Sequence, residues 1–198
     1  MGKNKMWIII AIAAVIWIAM SYNGMLTSGK KVDQKWADVE TAYQARADKV
    51  QGLASIVKNA ADFEQETLTA VIEARAKATG INISADNLTA ENLAQFEQAQ
   101  AQLKGSLSKL MLVVERYPEL QAVQAYRDFQ HQYEGIENRI ASARVDYNEA
   151  ATNYNIKIKR LPNGLYSGML GFDEKPLFKS NPGSENAPDM DDALNRSK

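Results

Sequence analysis

From Met6 to Met20 the chain reads MWIIIAIAAVIWIAM, with no charge and no helix breaker. Continued through Tyr22 to Leu26, the stretch is about 20 residues, or about 30 Å of helix, enough to cross a bilayer. Trp7 and Tyr22 stand where interfacial aromatics belong, and Lys3 and Lys5 flank the start. A cleaved signal peptide is the rival reading, with Ala19 and Ser21 as the small residues of a cleavage site. The apolar run outlasts a typical signal core, which favours an anchor through residues 6–26. Lys3 and Lys5 face Lys30, Lys31 and Lys35 across the segment, so the positive charges are too balanced to orient it.

Beyond a short joint expected at Gly24 and Gly29, heptad spacing takes over. Trp36, Tyr43, Val50, Val57 and Val71 share one ladder, and Val39, Leu53, Ala60 and Ala74 share its companion. This spacing predicts one long helix from Val32 to Thr79, closed by Gly80 and followed by a connection over Ile81 to Asn87. A second helix, capped by Ser84 or Asp86, carries Phe96, Leu103, Leu110 and Tyr117 with Leu93, Leu107 and Val114, and ends at Pro118. Pro118 suits the first turn of a third helix. That helix carries Tyr126, Tyr133, Ile140, Tyr147, Tyr154 and Leu161, with Phe129, Ile136, Ala143 and Ala150 between them. Short connections force such stripes to fold back on one another. The expected fold is all-α: an antiparallel up-and-down bundle of three to four long helices behind one N-terminal transmembrane helix. A break near Gly52 would give the fourth.

The pattern changes at Pro162. Four of the five prolines lie from there onward, among Leu165, Tyr166, Met169, Leu170, Phe172, Leu177 and Phe178. Residues 162–179 are therefore expected to pack on the bundle, and the polar stretch 180–198 to be disordered. The domain reading is an anchor over 1–27, a bundle over 28–161 and these two segments.

Composition narrows the chemistry. The 198 residues include no cysteine and one histidine, and the net charge is −1. Disulfides, thiolate metal sites and multi-histidine sites are excluded. A basic face for nucleic acid is not expected. The lone His131 falls opposite the buried face of the third helix, as a solvated surface residue. No Gly-rich phosphate loop or Glu-x-x-His pair is present in the helical body.

Charges on the ladders carry more information. Arg46 and Glu64 occupy positions where apolar residues are expected, and burying either costs several kcal/mol unless it is paired. Candidate partners are Arg75, Glu115, Glu137, Arg139 and Arg144. Interhelical pairs that fix register are the plainer reading; an ion or metabolite site along this polar seam is the sharper one. Tyr147-Asn148 and Tyr154-Asn155 repeat one dipeptide a heptad apart, placed to hydrogen-bond a neighbouring helix or a tail segment.

The residues together resemble the LemA family. Trp36, Val39 and Tyr43-Gln44-Ala45-Arg46-Ala47-Asp48 are similar to that family's YQRRAD block. Leu53, Val57-Lys58, Glu64, Thr67-Leu68 and Ala74-Arg75 continue it, followed by Leu107-Ser108, Glu115, Tyr117-Pro118 and Leu120. Glu137-Asn138-Arg139-Ile140, Ala143-Arg144, Tyr147-Asn148, Tyr154-Asn155, Leu161-Pro162 and Gly171-Phe172 complete the series. Val50-Gln51-Gly52-Leu53-Ala54 departs from the family's IPNLV, and Leu161 replaces the usual Phe. The resemblance implies a bacterial membrane-anchored bundle with no established enzymatic activity and no catalytic residues to carry over. Family genes often neighbour those of membrane zinc metalloproteases or small TPM-domain membrane proteins, and one branch serves magnetosome formation.

The functional expectation is a non-enzymatic scaffold or adaptor of the bacterial plasma membrane, crossing it once and using no cofactor. Its expected partners are other membrane proteins or copies of itself. The alternative is a sensor or binding module that holds a small ion or metabolite at the polar seam.

Overall fold

The computed structural model describes residues 3–58 and 64–179. Its helices are α1 (Lys3–Lys58), α2 (Gln65–Gly80), α3 (Ala90–Val114), α4 (Pro118–Ala122) and α5 (Gln124–Lys159). Short 3-10 turns follow at Ala85–Asn87, Asn163–Leu165 and Gly168–Leu170, and no strand occurs among the described residues. The fold is all-α, and α1, α2, α3 and α5 form an antiparallel bundle. Cross-helix bonds give the directions: Lys35 meets Asp146 and Arg46 meets Glu137, so α5 descends as α1 rises. Arg75 Nε donates to the Ala47 carbonyl at 2.9 Å, which turns α2 back along α1. Gln100 reaches Ala78, and Arg116 reaches Glu64, between α2 and α3.

The single helix expected over Val32 to Thr79 is thus two. α1 runs through Gly52, where no break occurs, to Lys58; α2 starts at Gln65 after an extended Glu64. Ala60, with the rest of 59–63, and the stretch 180–198 expected to be disordered lie outside the described residues. The third helix is also divided, because Val123 adopts an extended conformation between α4 and α5. The cap of α3 is neither Ser84 nor Asp86: Thr89 Oγ1 accepts the Asn92 N–H at 3.1 Å.

No joint separates the apolar N-terminal stretch from the bundle. α1 passes through Gly24 and Gly29 as one 56-residue helix. Gly29 lies against the Tyr154 ring, which a Cβ there would meet at 3.4 Å, whereas a Cβ at Gly24 would meet nothing; the Gly24 carbonyl accepts Lys157 Nζ at 3.1 Å. Residues 4–20 are exposed around the whole helix, which is long and apolar enough there to cross a membrane. Met25 is already fully buried in the bundle.

The core forms two apolar clusters. The one nearer the apolar N-terminal stretch surrounds Trp36, with Met25, Val32, Val39, Phe96, Tyr147, Tyr154 and Phe178. The other holds Val50, Leu53, Val57, Leu68, Val71, Leu103, Leu107, Leu110 and Phe129. α2, at 16 residues, is too short to cover both. Ile83 and Leu88 of the α2–α3 connection, with Phe172 and Phe178 of the C-terminal segment, complete the cluster around Trp36.

Candidate functional site

Between the two clusters lies a polar layer that joins four helices. Arg46 of α1 is only 2% exposed. Its Nη1 donates to Glu137 Oε1 of α5 at 3.0 Å, and its Nη2 donates to Gln100 Oε1 at 2.6 Å and to the Gln100 carbonyl at 3.2 Å on α3. Gln100 Nε2 passes the connection to the Ala78 carbonyl of α2. Lys104 closes the far side of Glu137 at 2.9 Å. Burial pushes the Glu137 carboxyl up, but Lys104 and Arg46 outweigh it and hold the group below its ordinary range. Among the described residues the Arg46 Nε is buried without a hydrogen-bond partner, and burial with the nearby Glu137 carboxylate raises the Tyr133 phenol. Each cluster could shift along the bundle at modest cost; the layer ties all four helices at one level and so defines register. Beside it, Glu40, Gln44, Asp48, Asn82 and Gln100 help line an open groove of about 580 Å³.

A second feature is built by the repeated Tyr-Asn pair. Asn155 Nδ2 donates to the Lys175 carbonyl at 2.8 Å while its Oδ1 accepts the Lys175 N–H at 2.9 Å. Asn148 makes the same paired contact with Phe178, at 3.0 and 2.9 Å. Seven residues of helix advance about 10.5 Å, and three residues of extended chain span about 10 Å. A heptad of α5 therefore matches one step from 175 to 178, running antiparallel, and each amide presents a donor and an acceptor to one backbone unit. The Tyr147 hydroxyl donates to the Pro176 carbonyl at 2.8 Å. Phe178 then plugs the core: it stacks on Trp36, meets Tyr147 edge-on, and lies under the Arg144 guanidinium at 4.6 Å. Arg144 in turn pairs with Glu97 at 2.8 Å. Tyr154 is buried in the same cluster.

This strap gives a direct test. Asn148→Ala and Asn155→Ala each remove two hydrogen bonds and leave backbone groups of the strap unpaired, a loss of about 1–3 kcal/mol apiece. Amide hydrogen exchange at Lys175 and Phe178 should accelerate in both variants, well ahead of exchange in α3. Unchanged protection at those two amides would show that the asparagines do not hold the strap.

Not every ladder charge joins these features. Glu64 is exposed rather than on a buried seam, because the chain has left α1 before reaching it; it pairs with Arg116 at 2.6 Å. Glu115 is exposed at the C-terminal end of α3, and Arg139 and His131 are exposed on α5. Arg75 is half-buried and spends its Nε on the α1 backbone. Gln100 went unread in the sequence although it stands in register with Leu93 and Leu107. A polar residue on an otherwise apolar ladder was the available signal. Among the described residues, no three His, Cys, Asp or Glu side chains gather as a metal site.

A sequence profile described as the LemA family matches residues 35–191. Two proteins of Paramagnetospirillum magneticum, magnetosome protein MamQ 1 and magnetosome protein MamQ 2, are each 25% identical over 88% of this chain and 70% of their own length. Magnetosome protein MamQ of Magnetospirillum gryphiswaldense is 24% identical over 93% of this chain and 76% of its own. Neither the family nor these relatives carries an enzyme's name. The profile spans the polar layer, both Tyr-Asn pairs and the strap, and the chain belongs to the LemA family.

Proposed function

We propose that this chain is a non-enzymatic scaffold or adaptor, anchored once in the bacterial plasma membrane and acting through contacts of its bundle with other membrane proteins or with copies of itself. The observation that carries this reading is the unbroken course of α1 from the apolar N-terminal stretch into the bundle. A flexible joint would let the bundle wander over the surface. A continuous helix instead fixes its height and tilt to the anchor, which suits spacing or bridging. From Met25 to Lys58 α1 extends about 50 Å beyond the anchor. The polar layer fits the same role, since its charges satisfy one another and keep the rod in one register. The relatives are named for a cellular structure rather than for a reaction, in keeping with an organising role.

The test is quantitative co-purification of the full-length chain from native membranes, beside a control that carries the same anchor and no bundle. A stoichiometric companion, or a second copy of the chain, should be recovered only with the bundle. Equal recovery of the same proteins with the bare anchor, or a lone monomer from native membranes, would overturn the reading.

A further inference from the structure

The C-terminal end of α5 lies beside the point where the anchor enters the bundle. Lys157 Nζ bonds the Gly24 carbonyl, and the Phe172 ring meets Tyr22 edge-on at 5.4 Å. The chain between them, 160–171, turns at this level in two 3-10 turns. Its shape is held from within. Asn163 Nδ2 caps the Lys157 carbonyl at 2.9 Å, the Tyr166 hydroxyl donates to Asn163 Oδ1 at 2.9 Å, and Gly171 takes a left-handed φ of 78°. Yet Leu161 is 73% exposed, Leu165 74% and Met169 88%, with Leu170 exposed beside them. So the segment 162–179 expected to pack on the bundle divides: Phe172 and Phe178 turn inward, and Leu165, Met169 and Leu170 face out. Leu161, expected as the last rung of the third helix's ladder, lies beyond the end of α5 and faces out with them.

Such a group of large apolar side chains on a turn held in shape marks a contact surface. Its position says with what. The apolar stretch of α1 exposed on all sides runs from Met6 to Met20, 15 residues. That is about 22 Å of helix against about 30 Å of hydrocarbon. A short span is accommodated by thinning the bilayer or by drawing flanking apolar groups into it. The outward residues sit at the end of this span, and Arg160 adjoins them as a cation for lipid phosphates, while Lys159 pairs with Glu174 at 2.7 Å and Lys157 with the Gly24 carbonyl.

We propose that residues 160–171 form a second membrane contact, a foot that places Leu161, Leu165, Met169 and Leu170 in the boundary between headgroups and acyl chains beside the anchor. With the anchor it makes two points of attachment, and two points prevent the bundle from rotating about the α1 axis. The foot rests on the reading of α1 as the bilayer-spanning element.

The chain has no cysteine, so single sites can be labelled without background. Met169→Cys, Ile12→Cys and Leu112→Cys would carry an environment-sensitive fluorophore in full-length protein reconstituted into vesicles. Leu112 is exposed on α3, about 50 Å along the bundle from the anchor. Brominated acyl chains in both leaflets quench from inside the bilayer, and iodide on both sides quenches from water. The label at 169 should be quenched by brominated lipid and be severalfold less accessible to iodide than the label at 112. Iodide access equal to that at 112, with the label at 12 quenched by lipid, would overturn the foot and leave the anchor standing. A label at 12 open to iodide would sink the anchor reading and the foot with it. Protection of 169 from both quenchers would also overturn the proposal, since the turn would then be covered by protein.

Discussion

Trp36→Ala should destabilise the bundle by about 4–5 kcal/mol, the upper part of the range for truncating a buried aromatic residue. Trp36 is 1% exposed, and its ring contacts come from several parts of the chain at once: Phe96 of α3, Tyr147 of α5 and Phe178 of the strap. A truncation here cannot be repaired by one neighbour moving inward, because each is held by a different element. The indole also donates to the Ile83 carbonyl at 2.8 Å, so the α2–α3 connection loses its tie to α1. Trp36→Phe separates the two contributions: it retains most of the ring area and should cost about 1–3 kcal/mol, chiefly for the unpaired carbonyl. Chemical denaturation of the full chain in lipid discs, followed by helical circular dichroism, measures both. A loss below about 1 kcal/mol for the alanine variant would contradict the packing described.

The ladders of the sequence carried the helices and most of the core, and their failures have physical causes. Val57, Glu64 and Val71 remain in heptad phase across the reversal between α1 and α2. Periodicity reports which face is apolar, and two arms of a hairpin can share a phase, so the pattern looks the same for one straight helix. In a straight helix Ala47 and Arg75 would stand about 42 Å apart; here they share a hydrogen bond. Gly24 and Gly29 misled in the opposite direction, since a glycine tolerated inside a long helix, beside the Tyr154 ring at Gly29 or in open space at Gly24, is indistinguishable by sequence from one that breaks a helix. Arg46 was legible as a polar residue on an apolar ladder, and Glu137 as one of several possible partners. The strap was legible only in part. The Tyr-Asn repeat announced two polar positions on one face, but extended chain has no period to show that Lys175 and Phe178 would meet them. The division of 160–179 into inward and outward residues depends on the turns at 163–165 and 168–170, and an irregular segment carries no pattern from which to read it.

Arg46→Met should cost about 3 kcal/mol near neutral pH, the low end of the range for breaking a buried ion pair, because Lys104 still attends Glu137. The loss falls mainly on Gln100, whose side-chain oxygen and carbonyl both lose their donor. Arg46→Met combined with Gln100→Leu should recover part of it, since the two apolar clusters would then merge and the side-chain acceptor at 100 is gone, while the Ala78 carbonyl gives up its Gln100 donor. Acid supplies the sharper readout. Glu137 is held below its ordinary pKa, so its contribution to stability is present above about pH 4.3 and is lost as pH falls through the lower folded value. Glu97 works in the opposite sense: burial outweighs Arg144 and raises it, so protonation relieves it. That contribution is common to parent and variant and cancels in their difference. The stability gap between parent and Arg46→Met should therefore narrow on acidification, because a protonated Glu137 no longer pairs with Arg46 and the parent is left with a buried, uncompensated cation. Parallel denaturation curves from pH 7 to about pH 3 measure this gap. A gap that stays constant would separate Arg46 from Glu137 energetically and leave the Gln100 contacts as the whole of its role. A gap that closes places the ion pair at the point where the four helices take their common register.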